Sequence, residues 1–223
     1  MKKISTLSPF TLLGLLLSFF GPALLIFIFR SLAPEKLTNS FVTVRELSLF
    51  LMTGVLMLII VKGEKLDLAS IGLHNKHWGR SILWSLLMMI VFIAVVLGCL
   101  GVFSLIGISY GQGDGKSDQL SLWVLTLVMV RAGIVEEIFY RGYLMERLHS
   151  INTSWLVYFL FPAAVFGLLH YNQGIGGIII AFVGGLVISW FYWKRRDLKA
   201  NIMAHFMVDF IPNVLVPLIG GDN

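Results

Sequence analysis

Apolar positions along this chain come in long unbroken runs, not in the alternation of a half-buried strand or the one-sided stripe of a helix on a water-soluble core. A helix needs about 20 mainly apolar residues to cross roughly 30 Å of hydrocarbon. Seven stretches read as such spans: Pro9 to Phe29, about Val42 to Val61, Ile82 to Ile108, a fourth from near Leu120 to Ser150–Thr153, Trp155 to His170, Ile175 to Trp193, and Ile202 to Ile219 with Pro212 and Pro217 inside it. Polar breaks between them mark loops, and no fixed repeat or low-complexity linker divides the chain. The pattern predicts an all-α, polytopic membrane bundle of about seven transmembrane helices, one domain over 1–223.

Composition narrows the setting further. Of 223 residues, 57% are hydrophobic and 13% charged, and the mean hydropathy is +0.87, too apolar to clothe a soluble core. Cys99 is the one cysteine, which excludes a disulfide scaffold. The net charge of +5 is distributed by loop: twelve Lys and Arg fall in one set of alternate connections (Lys2, Lys3; Lys62, Lys65, Lys76, Arg80; Arg141, Arg147; Lys194, Arg195, Arg196, Lys199) and four in the other (Arg30, Lys36, Arg45, Lys116). Basic loops stay in the cytoplasm, so the amino terminus is expected inside, in the cell membrane, with the 111–118 loop outside. Scattered over separate loops, these cations form no stripe for a nucleic acid.

Ionisable groups within spans cost at least about 2.5–3.5 kcal/mol each near a helix centre on insertion scales, so each asks for a partner or a purpose. Three segments carry them: Glu136-Glu137-Ile138-Phe139-Tyr140-Arg141, Phe166-Gly167-Leu168-Leu169-His170, and His205-Phe206-Met207-Val208-Asp209. If the fourth helix runs to His149, Glu136 lies roughly 20 Å from the cytoplasmic end, His170 roughly 24 Å, and His205 and Asp209 roughly 14 and 20 Å, so the three segments meet at similar depth. Glu137 and Arg141, four apart, are expected to neutralise one another as a structural pair. Glu136 is turned about 100° from Glu137 and has no cation three or four residues away, so it reads as the free carboxylate. His205 and Asp209 share a face. Arg131 is expected to pair with a carboxylate or to snorkel outward. A carboxylate with two histidines suits activation of water, with Glu136 as base, His170 assisting and His205 polarising a carbonyl. The same set, Glu136, His170, His205 and Asp209, suits zinc as well. A proton- or ion-coupled transporter and a non-catalytic membrane binding or immunity protein are the competing readings.

In this order, the segments resemble the CAAX protease and bacteriocin-processing (CPBP, abortive-infection) family of intramembrane proteases, whose motifs are Glu-Glu-x-x-x-Arg, Phe-x-x-x-His and His-x-x-x-(Asn or Asp) on separate helices. The matching residues are Glu136, Glu137, Arg141 and the following Gly142; Phe166 and His170; His205 and Asp209. The resemblance covers about 120–211. It implies an endopeptidase like the type 2 CAAX prenyl proteases, acting near the cytoplasmic side on a peptide or membrane-associated protein, with the first Glu and the second-motif His activating water and the third motif holding the oxyanion. It implies no required cofactor, while leaving a divalent metal such as zinc open. Asp209 stands where the prenyl proteases have Asn, and an ionised carboxylate donates no hydrogen bond.

Overall fold

In the computed structural model, which describes residues 8–74, 77–110, 120–152 and 154–220, the chain is a bundle of seven helical segments, with no strand among the described residues. α1 spans Pro9–Ser31, α2 Asn39–Leu58 with a terminal π-turn Ile59–Gly63, and α3 Trp78–Ile106. α4 begins as Leu122–Arg131, widens into a π-helix over Ala132–Met145 and closes as Glu146–Ile151. α5 is the short Leu156–Leu168, α6 is Gly174–Arg195, and α7 is Leu198–Phe210 continued by a π-turn Ile211–Leu215 and Val216–Gly220. Five of these, Pro9–Ser31, Asn39–Gly63, Trp78–Ile106, Tyr171–Arg195 and Leu198–Ile219, are long and apolar enough to cross a membrane. α4 falls outside that set through its charges and α5 through its length. The protein is an integral membrane protein.

Local chemistry starts the helices where it is needed. Ser8 caps α1 by accepting from the Thr11 N–H, with Pro9 in the first turn, where its missing N–H costs nothing. Thr38 and Asp197 cap α2 and α7 in the same way. Pro212 and Pro217 do not interrupt the last helix: Pro212 lies in the π-turn, whose looser turn absorbs the lost hydrogen bond.

α4 is the central element. Ile138, Phe139, Tyr140, Tyr143 and Leu144 are all buried, so this stretch of the helix is covered on every side by protein. α3 by contrast gives most of its surface to lipid, as its uninterrupted apolar sequence requires. A central position is what allows α4 to carry six charges, Arg131, Glu136, Glu137, Arg141, Glu146 and Arg147. Each of these charged groups faces a protein partner, and none has to meet hydrocarbon.

The helix ends sort cleanly into two faces of the bundle. At one, Arg147 of α4 grips Glu64 after α2 at 2.8 Å, Arg196 after α6 pairs with Glu146 at 2.6 Å, the Leu198 N–H donates to Gly72 O, and Ser81 of α3 donates to Asp197. At the other, the Ser121 N–H donates to Asn39 at the start of α2, Arg30 at the end of α1 donates to Asn172, and Gly176 of α6 lies against the Ser109 carbonyl after α3. Lys2, Lys3, Lys76 and the 111–118 loop with Lys116 lie outside the described residues. Arg141, counted above among loop cations, is 1% exposed and sits inside the bundle.

Candidate active site

The widened helix decides which side chains meet. In a π-helix the backbone bonds run i to i+5, so residues five apart stack where an α-helix would set them on different faces. Arg131 Nη1 thereby reaches Glu136 Oε1 at 2.5 Å. This corrects the expectation that Glu136 is a free carboxylate: the search for a cation at three or four residues assumed an α-helical pitch that this segment does not have. Arg131 in turn donates from Nε to Glu46 Oε2 of α2 at 2.5 Å, and Arg45 Nε holds the other Glu46 oxygen at 2.6 Å. Glu46 is fully buried. Arg131 therefore bridges two carboxylates and does not snorkel outward.

Glu137 also does more than neutralise Arg141. Arg141 Nη1 donates to Glu137 Oε1 at 2.8 Å, and the same oxygen lies 2.8 Å from His205 Nδ1. Asn201, one turn before His205 on α7, donates to Glu137 Oε2 at 3.3 Å and to Ile188 O at 3.0 Å. The sequence signal for this was present and unread, since Asn201, His205 and Asp209 recur every four residues on one face of α7. With Nδ1 fixed on Glu137, His205 turns Nε2 toward Asp209 Oδ2 at 3.4 Å and Glu136 Oε2 at 3.8 Å. α4 and α7 approach closely enough for this because Gly133 offers no side chain: a Cβ there would stand 3.0 Å from Ile202 O and 3.1 Å from Phe206 N.

His170 arrives from the end of α5, where the helix loosens into the turn leading to Tyr171–Gln173. Its Nδ1 lies 2.9 Å from Phe166 O, which leaves Nε2 as the nitrogen open to a ligand. The Phe166 ring lies between the two histidines, 4.8 Å from the His170 ring and 6.1 Å from that of His205, and the Arg141 guanidinium stacks on it at 4.5 Å. Phe166 is thus a spacer for both imidazoles.

A cavity of about 350 Å³ opens beside these groups, walled by Glu136, His170, Arg131, Arg45, Tyr140 and Phe166 among others. Glu136 and His170 face it together. His205 and Asp209 lie behind Glu136, outside the cavity lining. Tyr110, in the turn after α3, faces Asp209, and burial together with that carboxylate pushes its hydroxyl above the usual tyrosine range. Among the described residues, no three His, Cys, Asp or Glu side chains are arranged to hold a metal ion, and the Glu137 oxygens already serve Arg141, His205 and Asn201. The geometry offers a held carboxylate, a cavity-facing imidazole and a second imidazole anchored from behind. Those are the parts for moving a proton from water and meeting a developing negative charge.

Residues 118–211 match the family model described as Rce1-like, type II CAAX prenyl endopeptidase Rce1-like. No curated protein and no solved structure matches the chain. The match covers the segment that carries all three motifs, Glu136 to Arg141, Phe166 to His170 and His205 to Asp209, and over this segment the chain is similar to that family.

Proposed function

We propose that the protein is an intramembrane endopeptidase in which Glu136 takes a proton from a water held between it and His170, and the resulting hydroxide attacks the carbonyl carbon of a peptide bond in the cavity. The observation that carries the reading is the shared cavity: a carboxylate with one oxygen fixed by Arg131 and an imidazole with one nitrogen fixed by Phe166 O line the same space. His205, its ring held through Nδ1 by Glu137, stands behind Glu136 with Nε2 3.8 Å from Oε2 and positions that carboxylate. The proton on Glu136 then passes to the leaving amine as the C–N bond breaks. Asp209, 3.4 Å from Nε2, accepts from His205 and does not donate to the oxyanion, which fits a carboxylate in this place. The substrate is a polypeptide, and the surrounding partner is the lipid of the cell membrane.

Glu136→Gln keeps the side-chain shape and removes the base. With purified protein and a fluorogenic peptide, kcat is expected to fall at least about 100-fold, the low end for loss of acid–base catalysis. Cleavage at the wild-type rate would withdraw the reading. Activity that vanishes with a chelator and returns with zinc would replace the metal-free scheme by one in which these side chains hold a metal.

A further inference from the structure

The amino terminus inside and chemistry near the cytoplasmic side do not fit together in this fold. The cavity wall is built from Pro22 and Ile26 in the second half of α1, Arg45 and Leu49 in the first half of α2, and the Asn172–Gln173 turn between α5 and α6. All of these belong to the half of the bundle that ends at Arg30, Asn39 and Tyr171, and Tyr171, Asn172 and Gln173 are exposed there. The Arg30 guanidinium, donating to Asn172 and stacked 5.8 Å over Tyr171, frames this rim. The basic residues gather at the opposite end. Eight described Lys and Arg lie there, four of them in the 194–199 segment, against Arg30 and Lys36 at the mouth and Arg45 in the cavity wall. Lys and Arg near span ends hold a loop in the cytoplasm, and Asp and Glu contribute little to that bias.

We infer that the cavity opens on the extracytoplasmic face, so that the polypeptides it admits are exported or membrane-anchored chains presented from the outer half of the bilayer. This rests on the peptidase reading for what the cavity does, and on charge and geometry alone for where it opens. The floor runs the same way, because between the cavity and the basic end stand the Glu137–Arg141 pair and the Tyr143, Glu64 and Arg147 cluster, all at most slightly exposed. A cytoplasmic chain would have to pass this plug. The mouth offers amide groups at Asn172 and Gln173 and guanidinium groups at Arg30 and Arg45, donors matched to backbone carbonyls and carboxylates.

Cysteine accessibility tests it without needing a substrate. In a Cys99→Ala background, single changes Gln173→Cys at the mouth and Ala69→Cys at the basic end are treated with a membrane-impermeant maleimide. Gln173→Cys is expected to be labelled in intact cells as fully as in lysed ones, and Ala69→Cys only after lysis. The reverse pattern, or labelling of both in intact cells, overturns the inference. A peptide library fused to a single-span anchor, displayed on either side of the membrane, then separates this claim from the chemistry. Cleavage confined to the outer display supports both, and cleavage confined to the inner display overturns the inference. Cleavage of neither removes the peptidase reading and leaves the side of opening as the maleimide has fixed it.

Discussion

Glu46 and Arg131 show what single residues can contribute to holding a catalytic side chain in place. Neither belongs to the three motifs, and Glu46 lies outside the matched segment, yet Glu46 holds the guanidinium that holds Glu136. A carboxylate caught at one oxygen presents the other in a fixed direction, and misplacing a reacting group by about 1 Å costs on the order of 100-fold. Glu46→Gln is therefore expected to lower kcat by up to about that factor with KM nearly unchanged, and to add nothing in a Glu136→Gln background. Equal loss in both backgrounds, measured by peptide turnover, would place Glu46 in folding alone. At Asp209 the expectation separates acceptor from charge. Asp209→Asn keeps an oxygen facing His205 Nε2 and should retain most turnover, whereas Asp209→Ala should lose it. Near-complete loss in Asp209→Asn would mean that the negative charge itself is required.

At the scale of elements, the spans, the motif helices and the i,i+4 pairs were legible in the sequence, because apolar run length and α-helical spacing both report directly on a helix in lipid. The π segment was not. Nothing in Ala-Gly-Ile-Val-Glu-Glu distinguishes a wide turn from a narrow one, because the same residue types populate ordinary α-helices. Reading α4 at 3.6 residues per turn hid the Arg131–Glu136 pair for that reason. Gly133 tests the close approach that accompanies this turn. A Cβ there meets backbone atoms of α7, which cannot step aside as a flexible side chain would. Gly133→Val is expected to destabilise by about 1–3 kcal/mol, the usual cost of overpacking. Near that size of chain, each kcal/mol lowers Tm by roughly 2–4 °C. Gly98→Ala on α3, with open space around it, is the matched control and should leave Tm unchanged or slightly higher. An equal Tm for the two variants would show that the helices part without cost.

For the whole molecule, the Glu137–Arg141 pair is the joint at which four helices meet. From α4, Arg141 donates to Gly185 O on α6 at 3.2 Å and stacks on Phe166 of α5, while Glu137 takes His205 and Asn201 of α7. Stability and chemistry therefore run through one carboxylate, and a pair of substitutions separates them. Glu137→Gln leaves Arg141 buried without its counter-charge, and Arg141→Met strands Glu137. Breaking a buried pair from one side costs about 3–5 kcal/mol, so both single variants should lose folded protein in detergent, by size-exclusion yield and Tm. The double variant removes both charges and should regain part of that yield. It should not regain turnover, because His205 Nδ1 then faces an amide where it had a carboxylate, and its ring loses the anchor that aims Nε2 at Glu136 and Asp209. Recovery of activity together with yield would reduce Glu137 to a structural counter-charge and leave His205 positioned by Asp209 alone. Full yield in both single variants would remove the joint altogether.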